Sequence, residues 1–197
     1  MRLDPAITVY YVRHGETDWN STQRTQGHTD VPLNDTGRAQ ARHNGGKLKG
    51  LVGPAPALAF VASPLSRARE TMEIIRTELG LAPAGYRTDE RIKELGFGVR
   101  EGMHWPEYVA VLRAAEHRDG TDPWTFVPAG GESYAAGLAR ATRFFEDLAE
   151  DTVVVAHGGI SRCVHAALGL LTEKDAMAHP IPQDKVMVLR RGTLDWV

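Results

Sequence analysis

The chain has 197 residues, 42% hydrophobic and 24% charged, with 23 Lys+Arg against 25 Asp+Glu and a formal net charge of −2. Scaling surface with mass gives roughly 9,000 Å² folded against roughly 31,000 Å² for the open chain, enough burial for one sizeable core in a single domain over 1–197. The charge balance argues against nucleic acid or an anionic membrane as main partner, because both need a surplus of Lys and Arg.

The only cysteine, Cys163, excludes an intramolecular disulfide framework and a Cys-rich metal site. Asp4 and Pro5 stand where a signal peptide needs its apolar core, and no apolar run approaches the ~20 residues of a membrane span, so a cytoplasmic protein is expected. In that compartment the acceptor pattern Asn20-Ser21-Thr22 has no consequence.

In chain order, Ile7 to Val12 (ITVYYV) reads as a strand buried on both faces, since it is β-branched and shows no polar alternation. A helix is expected from about Asp35 to Leu48, introduced by Pro32-Leu33-Asn34. Ala57 to Ala62 reads as a second strand, followed by Ser63 as N-cap and Pro64 at the first helical position of a helix that carries Leu65, Ala68, Met72, Ile75 and Leu79 on one face. The stretch from about 96 to 130, rich in Gly, Pro, Trp and His, breaks the pattern and reads as a small lid insertion over one end of the sheet. Beyond it, helical spacing recurs at Tyr134, Leu138, Ala141, Phe145 and Leu148. Thr152 to Ala156 (TVVVA) is a further buried strand, Ile160, Val164, Ala167, Leu168 and Leu171 share a helical face, and Lys185 to Leu189 is a last strand. Gly80 and Gly169 fall at plausible helix ends. The alternation predicts an α/β fold: three layers, α/β/α, with a mostly parallel sheet and helices on both faces. Ligands of such sheets bind beyond the carboxyl ends of the strands.

Two of the strands end alike. Arg13-His14-Gly15-Glu16-Thr17 follows the first and His157-Gly158-Gly159 follows the TVVVA strand, so two imidazoles stand at strand carboxyl ends, each followed by a glycine that lets backbone approach a ligand. The helix after His157 offers free N–H groups, Arg13 a guanidinium fork, and Arg67 a second one from the helix after Ser63. Together they describe a pocket for a dianion, with phosphate the obvious candidate. A neutral histidine there can attack phosphorus while the cations stabilise the transition state, so no metal and no cofactor is required. Glu94, just before a glycine-rich turn, suits the proton donor for the leaving group.

These residues resemble the histidine phosphatase superfamily, in the branch of cofactor-dependent phosphoglycerate mutases and related phosphatases. The matching pieces are RHGETDWN (13–20), QGHTDVPLNDTGRAQA (26–41), SPLSRARET (63–71), ELGFGVREG (94–102), PAGGES (128–133) and VVVAHGGISR (153–162). The resemblance implies His14 as phosphohistidine nucleophile, Glu94 as proton donor, and Arg13, Asn20, Arg67 and His157 as holders of the phosphoryl group. The expected substrate contacts are Thr17, Gln26, Gly27 and Gly158. A homodimer through a sheet edge is compatible with it.

Mutases of the family resemble one another in a Tyr before the glycine at Gly98, a Lys soon after the glycine at Gly102 and an adjacent Arg pair, which together hold a substrate carboxylate. Here stand Phe97, then Met103-His104-Trp105, and only isolated Arg113 and Arg118. The expectation is therefore a metal-independent phosphomonoester hydrolase acting on a small phosphorylated metabolite, with a phosphoglycerate mutase as the alternative.

Several residues have two readings. Trp105 and Trp124 either pack the insertion or, with Phe97, line an apolar pocket, while His104 and His117 either face solvent or touch substrate from the lid. Glu132 and Ser133 either cap the next helix or brace an arginine, and Gln183-Asp184-Lys185 departs from the small polar residues usual at the pocket rim. The other histidines show no metal-ligand spacing, and Cys163 reads as a buried, inert thiol.

Overall fold

In the computed structural model, which describes residues 1–54 and 57–197, the first apolar run forms β1 (Thr8–Arg13) and leads through the short α1 (Asp18–Ser21) to α2 (Asp35–Val52), capped by the Asn34 side chain. Then come β2 (Ala59–Ala62), α3 (Ser66–Glu78), β3 (Arg87–Thr88), α4 (Trp105–Asp119) and α5 (Tyr134–Glu146). The chain closes with β4 (Thr152–Ala156), α6 (Gly158–Ala167), α7 (Glu173–Ala178), β5 (Val186–Arg190) and β6 (Thr193–Trp196). No helix among the described residues is long and apolar enough to cross a membrane.

The six strands form one sheet in the order β3-β2-β4-β1-β5-β6. The first four in chain order are mutually parallel, while β5 runs antiparallel to β1 and β6 antiparallel to β5. The sheet is thus mixed, its parallel part holding both histidine-bearing strands. The β5–β6 hairpin turns on Arg191 and Gly192, both with positive φ, as a two-residue turn matched to strand twist requires.

Alternate residues of the TVVVA strand explain the layers. Val153 and Val155 pack with Leu48 of α2 and with Met72 and Ile75 of α3, whereas Val154 and Ala156 pack with Phe144 and Phe145 of α5 and Ile160 of α6. Both faces are covered, so an uninterrupted apolar run is what the strand needs.

Two local readings are corrected. The helix after β2 begins at Ser66, not at Pro64, and Leu65 stands at its N-cap without a side-chain bond. The Asp30 carboxylate takes over, accepting the Ser66 N–H at 2.9 Å. The 96–130 stretch is also more regular than its composition suggests, because it contains the whole of α4, with Pro106 in its first turn and Gly120 closing it. Tyr108, Leu112 and Trp124 bury this segment against the α5–α6 core.

Candidate active site

The register of β1 against β4 pairs Arg13 with Ala156, which brings the next residues, His14 and His157, side by side at the carboxyl edge. The His14 N–H donates to the Ala156 carbonyl at 2.9 Å and the two imidazoles lie 5.1 Å apart, centre to centre. Beside them opens a cavity of about 380 Å³. Its inner wall holds Arg13, His14, Asn20, Arg67, Glu94 and Gly158.

His14 is 2% exposed, and its Nδ1 lies 2.7 Å from the Gly15 carbonyl. A carbonyl only accepts, so Nδ1 carries the proton and the neutral ring keeps its lone pair on Nε2. Burial, then the guanidinium groups of Arg67 and Arg13, push the pKa of His14 well below 6.5. His157 is fully buried and shifts the same way, chiefly by burial and next by Arg67. Its Nε2 is 2.6 Å from Ser63 Oγ. Ser63 therefore orients His157, and this is why it does not cap α3.

Arg67 is the bulkiest side chain with no exposure, reaching from the first turn of α3. Its Nη1 and Nη2 donate to the Thr29 and Gly27 carbonyls at 3.0 and 2.8 Å. Arg13 donates from Nη1 to the Ile181 carbonyl at 2.6 Å, and burial, with Arg162 next in effect, lowers its pKa to about 10. Five buried side-chain atoms find no partner among the described residues, and three of them are Arg13 Nε, Arg67 Nε and His157 Nδ1. The two arginine Nε atoms can only donate, and because unpaired buried donors are uncommon and unfavourable, the pair beside His14 marks a place for an anion.

Glu94 faces these cations. Its carboxylate accepts the Leu95 N–H at 2.9 Å and the Gly159 N–H at 3.2 Å. Its backbone is fastened from behind by Arg140, which donates to the Glu94 carbonyl at 3.1 Å and grips Glu132 through two bonds, at 2.6 and 3.0 Å. Of the paired readings, Ser133 caps α5 and Glu132 braces Arg140, an arginine outside the cavity lining. A side chain at Gly159 would collide with Glu94, so this glycine is what lets the carboxylate sit there.

Gln26 lines the cavity, whereas Gly27 serves through its carbonyl on Arg67. Thr17 stands apart from the cavity lining: buried at the N-cap of α1, it exchanges bonds with Asn20, whose Oδ1 accepts from both the Thr17 N–H and hydroxyl at 3.2 Å. With Oδ1 so occupied, Nδ2 of Asn20 is the group left for a ligand. Phe97 and Trp105 line the mouth, while Trp124 lies behind it, stacked on Tyr134 at 5.1 Å. His104 and His117 are outside the lining, and His104 faces the Thr22 carbonyl instead. The Cys163 thiol is buried and pushed well up by burial. Among the described residues no three His, Cys, Asp or Glu side chains converge as a metal site would require.

Sequence reasoning assigned no role in the site to Ser63, Gly159, Arg162 or Gln183. Gln183 donates from Nε2 to the His14 carbonyl at 3.0 Å and to Asn20 Oδ1 at 3.2 Å, tying the departing rim segment to the strand end that carries His14. Arg162 was visible only as the end of the VVVAHGGISR match.

An α/β sheet with two paired histidines and a ring of guanidinium groups at its carboxyl edge defines an enzyme of phosphate-ester chemistry. The family model for the histidine phosphatase superfamily (branch 1) matches residues 9–196, and the chain belongs to that superfamily. It is an enzyme of the phosphatase and phosphoglycerate mutase-like type. It is 37% identical over 166 residues to the uncharacterized phosphatase PhoE of Bacillus subtilis (strain 168), covering 84% of this chain and 76% of that one. It is 33% identical over 165 residues to phosphoglycerate mutase-like protein 4 of Arabidopsis thaliana, covering 80% and 69%. Among solved structures, TTHB049 from Thermus thermophilus matches at a TM-score of 0.71 and 35% identity, over 93% of each chain.

Proposed function

We propose that the protein is a metal-independent phosphomonoester hydrolase that works through a phosphohistidine at His14 on a small phosphorylated metabolite. The observation that carries this reading is the pair of unpaired buried donors, Arg13 Nε and Arg67 Nε, beside a histidine held neutral with its lone pair on Nε2; His157 Nδ1 joins them as a donor in the tautomer in which the Ser63 hydroxyl donates to Nε2. The phosphoryl oxygens take these donors together with Asn20. His14 Nε2 attacks phosphorus, the P–O bond to the alcohol breaks, and Glu94 delivers a proton to the departing oxygen. Water then attacks phosphorus and gives up a proton to Glu94, the bond from phosphorus to His14 Nε2 breaks with its electron pair returning to the imidazole, and inorganic phosphate leaves. The guanidinium groups supply the positive charge for which a metal would otherwise be needed.

Hydrolysis is favoured over isomerisation by what lines the mouth. Phe97 stands there, and Arg113 and Arg118 project from α4 as exposed side chains outside the cavity lining.

The test is phosphate release from p-nitrophenyl phosphate with a chelator present, comparing the native protein with His14→Ala. Turnover that survives the chelator and disappears in the variant is expected. Retained activity in His14→Ala overturns the nucleophile. Isomerisation of 3-phosphoglycerate outpacing phosphate release, with bisphosphoglycerate present, overturns the hydrolase in favour of a mutase.

A further inference from the structure

Glu101 belongs to the same segment as Glu94 but lies outside the cavity lining. Its carboxylate is fully engaged. Oε1 accepts the His28 N–H at 2.9 Å and the Phe97 N–H at 3.2 Å, while Oε2 accepts the Thr29 N–H at 2.9 Å and the Thr29 hydroxyl at 2.5 Å. A carboxylate has about four lone-pair sites, so none is left for a substrate. The four bonds clasp two segments instead: the turn 26–30, which wraps Arg67, and the segment 94–103, which carries Glu94. Beside the clasp the Gly102 N–H donates to the Thr25 carbonyl at 2.8 Å and the Thr25 N–H to the Met103 carbonyl at 2.9 Å.

The turn faces two ways. The N–H groups of His28 and Thr29 point at Glu101, whereas the carbonyls of Gly27 and Thr29 accept from Nη2 and Nη1 of Arg67 at 2.8 and 3.0 Å. The Gly27–His28 peptide joins the two directly, since its N–H meets Glu101 and its C=O meets Arg67. A peptide unit is planar, so turning that N–H away from Glu101 swings the carbonyl off Arg67. Arg67 has no exposure, and no water replaces a lost acceptor there without cost. Asp30 Oδ1 lies 3.9 Å from Nη1, but that carboxylate is half exposed and engaged by Ser66. With both Nη groups committed to the turn, Nε is the donor left for the anion pocket. Gly27 is fitted to this arrangement: its φ is 58°, and a side chain there would collide with Glu101 Oε1 and come within 2.9 Å of the Phe97 nitrogen.

We propose that Glu101 is a positioning residue, which acts through the Gly27–His28 peptide and Thr29 to hold the Arg67 guanidinium with Nε presented to the phosphoryl group. It does not touch substrate. The inference rests on Arg67 as a phosphoryl holder and deepens that reading of the site. A carboxylate is required, and not merely a side chain of its shape, because all four partners are donors; in Glu101→Gln one oxygen becomes an NH2 group that faces donors.

The test is a double-mutant cycle on the full chain: native, Glu101→Gln, Arg67→Met and the pair. It is read by calorimetric binding of inorganic phosphate, which needs no turnover, and by kcat/KM on p-nitrophenyl phosphate. Glu101→Gln alone should weaken phosphate binding about tenfold, the size of one charge-assisted bond, and lower kcat/KM by about 10- to 100-fold. With Arg67→Met no guanidinium is left to orient, and adding Glu101→Gln should then change either quantity by less than about threefold. Thr29→Val, which removes a single bond, should weaken phosphate binding about threefold with the same dependence on Arg67, and it carries the test where Glu101→Gln does not fold. Where Arg67→Met does not fold, the Arg67 Nε–H resonance decides: it should shift with phosphate in the native protein and no longer do so in Glu101→Gln. Equal losses in both backgrounds, or a folded Glu101→Gln that is less stable to urea yet binds phosphate like the native protein, overturn the clasp and leave the hydrolase standing. A non-additive cycle in phosphate binding, with no turnover of p-nitrophenyl phosphate by the native protein, supports the clasp and overturns the hydrolase. A native protein that binds no phosphate overturns both.

Discussion

Gly159→Ala tests Glu94 as proton donor without altering any reacting side chain. Gly159 has ordinary helical φ at the start of α6, so the backbone accepts alanine, and helix propensity favours the change by up to about 1 kcal/mol. The added methyl is another matter. It would overlap Glu94 Oε1 and sit 3.0 Å from Leu95 Cγ and Cδ1, and Leu95 is only 1% exposed and has nowhere to go. The carboxylate is the part that moves, by roughly 1 Å to regain ordinary contact, and the 3.2 Å bond from the Gly159 N–H is lost with it. A misplacement of that size at a reacting centre slows the step about 100-fold. The assay is kcat/KM, which reports the phosphorylation half-reaction, on phenyl phosphate and on 2,4-dinitrophenyl phosphate, whose leaving group departs without a proton. A loss of about 100-fold on the first and of no more than about fivefold on the second is expected. Equal losses on both, or none on phenyl phosphate, would refute the assignment of Glu94. Urea unfolding should show the variant within about 1 kcal/mol of the native protein.

Ser63→Ala removes the 2.6 Å partner of His157 Nε2, so kcat/KM should fall about fivefold, equivalent to one net hydrogen bond of about 1 kcal/mol; an unchanged value would show that His157 is oriented without it. Thr17→Ala removes a buried N-cap and should lower the unfolding free energy by about 1 kcal/mol in urea; an unchanged midpoint would contradict the capping role. Burial holds His14, His157 and His165 below 6.5 in the fold, so below that pH the unfolded chain binds protons that the folded one does not. Stability should therefore be level above about pH 6.5 and fall below it, by up to roughly 1.4 kcal/mol per pH unit for each histidine. Urea unfolding from pH 7.5 down to about 5.5 checks this, and His165→Asn should lessen the slope; a flat profile would sink it.

The inner half of the site was legible because each part sits at the end of a regular element. Two buried runs each closing on His-Gly announce two imidazoles at one sheet edge, and the β1–β4 register then places them as neighbours. Ser63 shows where local rules give out. Ser-Pro before a helical pattern is a sound capping signal, yet the hydroxyl is used by a histidine 94 residues away and an aspartate before α3 does the capping. For α4 the local signals were present, Pro106 at its start and Gly120 at its end, but the glycines and tryptophans around them obscured a helix whose buried face is only Tyr108, Leu112 and Ala115.

The outer half is assembled differently, and that difference separates chemistry from specificity. Phe97 and Trp105 come from the insertion, Arg162 from the second turn of α6, and Ile181 and Gln183 from the segment before β5. Gln183 alone spans 169 residues to reach the His14 carbonyl. No periodicity or short motif encodes such a meeting, because every contact in it depends on how two distant segments pack. The strand ends that carry His14 and His157 are locked by sheet register. The mouth is built from residues that can change without disturbing that register, so one phosphoryl-handling centre can serve different alcohols. On the proposed reading, the residues of the mouth then bear on substrate choice while His14, Arg67 and Glu94 bear on rate.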